Sequence, residues 1–158
     1  ILSRSVGPSG AVVSVEPDRS VQGYLLYNRH VHACGFHVLL GTVSSTPLFI
    51  KETGIKGYGT QTTESKGDPG WAAIPNMELQ QVEQTIGKKI NVALIDCEGC
   101  IQSVNKTGLL DQVDLILLEE DMIECDSWHK SLFQRGFECL WYLKDTANPK
   151  RKSWASVR

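Results

Sequence analysis

Two runs of apolar residues, each followed at once by acidic residues, are the most informative pattern in the chain. Five of the six residues from 90 to 95 are apolar, and Asp96 and Glu98 follow them. Residues 113–118 form a second run, which ends in the acidic residues 119–121. Such runs are typical of strands that are buried on both faces. The pattern predicts two neighbouring strands with carboxylates along one edge; the simpler alternative is two buried strands with solvated acidic ends.

The remaining pattern alternates between strands and helices. It predicts a strand over residues 11–15, a helix capped by Asp18 and a strand over residues 36–40. A long polar loop over residues 42–75, with a short strand over residues 48–50, and a helix capped by Asn76 come next. The two central strands follow, and the chain closes with two strands joined by a short turn, which favours an antiparallel pair. Strands that alternate with helices imply a mostly parallel sheet. We therefore expect an α/β fold in one domain, from residue 1 to residue 158.

Composition excludes several classes of protein. The chain has 158 residues, of which 41% are hydrophobic and 22% charged, and this is the composition of a globular protein. A net charge of −2 gives no reason to expect binding to nucleic acid. No segment reaches the roughly 18 apolar residues of a membrane span. Cys97 and Cys100 form a C-x-x-C motif, but no second pair completes a zinc site, so we expect reduced, packed cysteines.

Three motifs resemble those of one enzyme family. Residues 7–17 end in Val-Ser-Val-Glu-Pro, which looks like the second-strand motif of FkbM-type S-adenosylmethionine-dependent methyltransferases. Residues 92–99 look like the family's strand that ends in Asp-x-Glu-Gly, and residues 116–119 resemble its next strand, which also ends in Glu. Asn28 lies where the family often has an asparagine. The order and the intervals of these motifs also agree.

The resemblance implies a fold, a cofactor and an activity. The fold would be a Rossmann-like methyltransferase sheet, mostly parallel, with an antiparallel strand near the C-terminus. The cofactor would be S-adenosylmethionine, and the reaction would be methylation of a hydroxyl on a sugar or small metabolite. The family's first strand and glycine-rich turn have no counterpart in this chain. We expect that they were removed from the sequence, although another chain could supply them, or the protein could be a shortened, non-catalytic relative.

The resemblance also implies site residues. Glu16, followed by Pro17, would bind the cofactor ribose. Residues just after the third strand would lie near the adenine: Thr42, Val43 and Ser44. Residues at the ends of the two central strands would face the methyl group and the acceptor: Asp96, Glu98 and Glu119. Asp96 would also contact the cofactor.

Methyl transfer to a hydroxyl needs an aligned acceptor and is helped by a general base. Asp96 or Glu98 could be that base, while the other orients the acceptor. Together with Glu119 and Asp121 they could instead hold a divalent cation, although we expect no metal. The four histidines are expected to be ordinary surface or packed residues: His30, His32, His37 and His129.

Other classes of protein fit less well. Leu94 to Glu98 also resembles a strand-end motif of glycoside hydrolases, but their β/α barrels need about 200 residues or more. A dehydrogenase would need a Gly-x-Gly-x-x-Gly motif, which is absent. The main alternative is a non-catalytic binding module that keeps the methyltransferase-like fold. We expect a small-molecule or glycan acceptor as partner, no nucleic acid and no membrane span, and the sequence leaves the oligomeric state open.

Overall fold

In a computed structural model of the protein, the described residues are 2–55, 58–64, 69–97, 100–120, 126–144 and 152–158. The chain divides into two compact units, Ile1–Lys89 and Ile90–Arg158, and each is described by itself. The expectation of one domain over the whole chain stays a prediction.

The first unit consists of short strands and three helices in its described residues. In chain order they are α1 (Leu2–Ser5), β1 (Val13–Glu16), α2 (Arg19–Val31), β2 (His37–Leu40), β3 (Thr42–Val43), β4 (Phe49–Ile55), β5 (Tyr58–Thr63), β6 (Ala72–Ala73), β7 (Asn76–Met77) and α3 (Leu79–Ile86). Asp18 caps α2 as predicted, because its Oδ1 accepts hydrogen bonds of 2.7 Å from both the backbone N and the Oγ of Ser20. Asn76 does not cap α3; it lies in β7, and Glu78 directly precedes the helix.

In the described residues of this unit, the strands form three small sheets. Strands β1 and β2 pair in parallel, with Glu16 opposite Leu40, and β3 pairs in parallel with β7. Strands β5, β4 and β6 form an antiparallel sheet, in that order. The predicted long loop over residues 42–75 is therefore largely strand in its described part, where β4 extends well beyond the short strand expected over residues 48–50. The many threonines of this segment have branched side chains that suit a pleated sheet, which accounts for strands beyond residues 48–50.

Where the structure describes the second unit, it consists of one four-stranded sheet with helices. Its elements are β8 (Val92–Asp96), α4 (Ile101–Val104), α5 (Leu109–Gln112), β9 (Leu115–Glu120), α6 (Asp126–Gln134), β10 (Glu138–Lys144) and β11 (Lys152–Val157). The strand order is β10-β11-β9-β8. Strands β8 and β9 are parallel neighbours, and β11 pairs antiparallel with both β9 and β10. The predicted adjacency of the two central strands and the antiparallel final pair are both confirmed.

The hydrophobic core of the second unit lies on one face of this sheet. Alternate residues of the strands, such as Ile95 and Ile116, are buried against a cluster that includes Trp128 and Leu132 of α6. The intervening residues of β8 are exposed; Leu94 is 55% exposed, whereas Ile95 is 6% exposed. The prediction that this strand is buried on both faces is therefore wrong.

The predicted Rossmann-like, mostly parallel sheet is also wrong. The described residues form four separate sheets, and the longest strands pair antiparallel. The alternation of strands and helices predicts that β1 and β2, joined through α2, run parallel, and this is correct. It does not determine which strands become neighbours, because that depends on hydrogen bonds between segments far apart in the chain. In the described residues β1 pairs with β2, and β8 pairs with β9; no ladder joins the two pairs.

Candidate functional site

The carboxyl end of β1 places Glu16 beside the end of β2. Its Oε1 accepts a 2.8 Å hydrogen bond from the backbone N of Asp18, and its carbonyl oxygen accepts one of 2.9 Å from Gly41 N. The first bond fixes the carboxylate at the turn into α2. The second joins the end of β1 to the point where β2 leads into β3. Glu16 and Thr42 were both predicted to bind the cofactor. The hydrogen bond from Gly41 brings their backbones close together in space.

A cavity of about 620 Å³ lies at this end of the strands. Residues that line it include Pro17, Asp18, Leu40, Ile50, Lys51 and Pro75. Apolar side chains can pack against a flat ring, and the charged side chains can bind polar substituents. Cavities of this size, apolar with a few polar groups, are typical of sites for small molecules and cofactors.

Gly41 is required where the chain passes this cavity. Its φ is +144°, a conformation that residues with a side chain rarely adopt. A Cβ atom built at this position would lie 2.4 Å from the carbonyl oxygen of Pro75. The close approach allows Thr42 N to donate a 2.9 Å hydrogen bond to Pro75 O, so that β3 begins beside a cavity-lining residue.

The predicted adenine-binding residues have structural roles in β3 and the turn that follows it. Thr42 and Val43 pair with β7. Ser44 is 4% exposed; its Oγ donates a 2.8 Å hydrogen bond to Thr46 O and accepts one of 3.1 Å from Thr46 N. The carbonyl oxygen of Ser44 accepts a 2.8 Å hydrogen bond from Asn76 Nδ2. The hydroxyl of Ser44 thus stabilises a turn, and its binding to adenine stays a prediction.

The predicted catalytic acids lie in the second unit. Asp96 and Glu119 are direct partners in the parallel ladder of β8 and β9, so their side chains project from the same face of the sheet. This is the face opposite the core; Asp96 is exposed and Glu119 half-buried. Glu98 lies outside the described residues. The prediction that two neighbouring strands carry carboxylates along one edge is therefore confirmed for Asp96 and Glu119.

The cysteines next to these acids are bonded to each other. Cys97 and Cys100 form a disulfide, so the expectation that they are reduced is wrong. The bond leaves neither sulfur available as a thiolate ligand. Among the described residues, no group of three or more His, Cys, Asp and Glu side chains is placed to hold a metal ion. The alternative cation site involved Glu98 and Asp121, which lie outside the described residues.

A second cluster of polar side chains was missed by the sequence analysis. Glu120 is 1% exposed, and its carboxylate contacts Trp154, His129 and Lys152. His129 is therefore more than an ordinary packed residue, because its ring contacts a buried carboxylate. The side chain of Glu120 projects from the same face of β9 as the buried side chains of Ile116 and Leu118. This signal was hidden because residues 115–118 are all apolar, so the pattern does not show which face is buried.

No protein-family model, no curated protein and no solved structure matches this chain. In the described part of the chain, every helix is too short or too polar to cross a membrane. The function is therefore inferred from the motifs and from the geometry of the side chains.

Proposed function

We propose that the protein is an S-adenosylmethionine-dependent methyltransferase that methylates a hydroxyl of a sugar or small metabolite. The observation that carries the proposal is the position of Glu16. It ends a strand of a parallel pair, and the next residue, Pro17, lines a cavity of about 620 Å³. The three motifs that resemble the FkbM-type family supply the choice of cofactor.

The residues around the cavity suit the nucleoside part of this cofactor. A carboxylate has about four acceptor sites, so Glu16 can accept hydrogen bonds from ribose hydroxyls while it keeps the bond from Asp18 N. Leu40, Ile50 and Pro75 line the cavity and offer apolar surface for the adenine ring. The proposal uses this local geometry and requires no continuous parallel sheet.

The resemblance to the methyltransferase family assigns the acids of the second unit to the acceptor. S-adenosylmethionine would supply an electrophilic methyl group on a sulfonium sulfur. Asp96 or Glu119 would accept the proton of the acceptor hydroxyl. The other carboxylate orients the hydroxyl, since the two side chains project from one face at paired positions. A role for Glu98 stays a prediction.

Isothermal titration calorimetry with S-adenosylhomocysteine tests the cofactor. We expect Glu16→Ala to weaken binding by at least about tenfold, which corresponds to about 1.4 kcal/mol. Glu16→Gln keeps an acceptor for Asp18 N and should bind with intermediate affinity. The matched control is Glu138→Gln, which changes an exposed glutamate in β10 and should bind like the wild type. Absence of binding, or equal binding by folded Glu16→Ala, would contradict the proposal.

Formation of S-adenosylhomocysteine in the presence of sugars, polyols and phenols tests the reaction. We expect Asp96→Asn or Glu119→Gln to lower the rate by about 10²–10⁴-fold with cofactor binding retained, as for loss of a general base. Asp114→Asn, an exposed residue just before β9, is the control and should keep full activity. Binding of the cofactor without turnover of any acceptor would instead support a non-catalytic binding module.

A further inference from the structure

The second unit contains a cavity of about 420 Å³ that the proposed methyl transfer does not use. It lies between α6 and strands β10 and β11. Its lining includes the polar residues Glu120, His129 and Lys152 and four aromatic residues, Phe133, Phe137, Tyr142 and Trp154. The first group can bind a charged or polar part of a ligand, and the second can bind an aromatic part. Together they define the kind of ligand that fits.

The polar wall is built around a buried carboxylate. Trp154 Nε1 donates a 2.6 Å hydrogen bond to Glu120 Oε2, and His129 Nε2 lies 3.2 Å from the same oxygen. Lys152 Nζ lies 3.4 Å from Oε1 of Glu120. Replacing such a buried ionic network with apolar residues is often neutral or stabilising for the protein. A contribution to folding stability therefore does not by itself explain why the network is present. The network holds Lys152 at the cavity.

The ammonium group of Lys152 can donate hydrogen bonds to a ligand as well as to Glu120. An ammonium group has three N–H donors, and its distance to Glu120 is longer than a typical charge-assisted hydrogen bond. The side chain is 31% exposed, so a ligand can reach it. A second anion can therefore bind Lys152 without displacing Glu120. The ring of His129 adds one more nitrogen that can form a hydrogen bond with the ligand.

The aromatic wall offers ring faces beside this cation. The ring centroid of Trp154 lies 4.2 Å from that of His129 and 4.5 Å from that of Tyr142, so three rings follow one another along the cavity. Tyr142 is 45% exposed and Phe133 is 62% exposed. Exposed aromatic faces bind flat aromatic rings in stacked or edge-to-face geometry. A cation next to such faces selects rings with a negatively charged substituent.

We propose that this cavity binds a small aromatic carboxylate, with its ring against Tyr142 and Phe133 and its carboxylate paired with Lys152. The binding site lies entirely within the second unit and does not depend on the proposed cofactor. Glu120 acts as a positioning residue, because its carboxylate holds Trp154 and Lys152 at the cavity.

Isothermal titration of the whole protein with naphthalene-2-carboxylate tests the proposal, with naphthalene-2-carboxamide and cyclohexanecarboxylate as probes that lack the charge or the aromatic ring. We expect the aromatic carboxylate to bind at least about tenfold more tightly than either. Lys152→Met should remove this preference over the amide, and Tyr142→Leu should remove the preference over the cyclohexane compound.

The matched control is Lys144→Met. Lys144 is the ladder partner of Lys152 on β10, but it does not line the cavity, so its loss should leave binding unchanged. Circular dichroism establishes that each variant is folded. Equal affinity for the carboxylate and the amide, or unchanged affinity in folded Lys152→Met, would overturn the proposal. So would absence of binding up to about 10 mM, since the free energy would then be weaker than about −3 kcal/mol.

Discussion

The indole Nε1–H of Trp154 donates a 2.6 Å hydrogen bond to Oε2 of Glu120, a residue 34 positions earlier in the chain. The two residues lie on adjacent antiparallel strands, β11 and β9, near the end of the sheet where Asp96 and Glu119 pair. A carboxylate that is 1% exposed needs such donors, because burial removes the water that would otherwise solvate its charge. This hydrogen bond therefore stabilises the second unit, and it also holds the Trp154 ring in place in the wall of the cavity.

Trp154→Phe should destabilise the protein, because it removes a donor from the buried carboxylate of Glu120 and keeps most of the aromatic ring. A hydrogen bond to a charged group contributes about 1.5–3 kcal/mol, and we expect a loss of this size in the free energy of unfolding. Urea denaturation followed by circular dichroism measures it. Trp141→Phe, which changes an exposed tryptophan in β10, should cost less than about 1 kcal/mol. Equal effects of the two substitutions would contradict the importance of the hydrogen bond.

Gly41→Ala should destabilise the first unit. The methyl group would lie 2.4 Å from the carbonyl oxygen of Pro75, and the φ of +144° is itself unfavourable for alanine. We expect a loss of at least about 2 kcal/mol, the size of a strained backbone position combined with a steric clash. Gly23→Ala is the control, because Gly23 lies inside α2 and a Cβ there meets no atom within 4 Å. Alanine there should stabilise by about 0.5–1 kcal/mol. Thermal denaturation in which both variants shift in the same direction would refute this account.

Two neighbouring positions of β8 test whether the sheet of the second unit is covered on one face only. Ile95→Ala removes a side chain packed in the core and should cost about 2–5 kcal/mol. Leu94→Ala changes a side chain on the open face and should cost less than about 1 kcal/mol. Chemical denaturation of the two variants gives both values. A large cost at Leu94 would show that this face is covered in solution.

The disulfide between Cys97 and Cys100 predicts a pattern of thiol labelling. In the oxidised protein, maleimide should modify the exposed thiol of Cys139 and leave Cys97 and Cys100 unmodified until a reductant is added. In the chain-entropy description, closing a loop this short stabilises by about 2 kcal/mol, so reduction should lower the free energy of unfolding by that order. Peptide mass mapping identifies the labelled residues. Labelling of Cys97 without reductant would show that the pair is open.

The sequence by itself determined much of the local structure. The Asp18 cap depends on a hydrogen bond to a residue two positions away, and the strand-end acids follow directly from the run of residues 90–95. The adjacency of β8 and β9 could be predicted because two similar runs are separated by a short crossover. These features depend on neighbours in the chain or on a short connection, so the pattern of residues is sufficient to predict them.

Only the tertiary structure decided which strands pair, which face of each strand is buried and which side chains meet. The sequence did not show that the described strands divide into four small sheets, that Leu94 is exposed or that Glu120 contacts His129 and Trp154. The disulfide between Cys97 and Cys100 was not visible either, although the motif was. A continuous apolar run is compatible with burial of either face or both. The choice between these arrangements depends on packing and hydrogen bonds between segments distant in the chain, and these exist only in the folded structure.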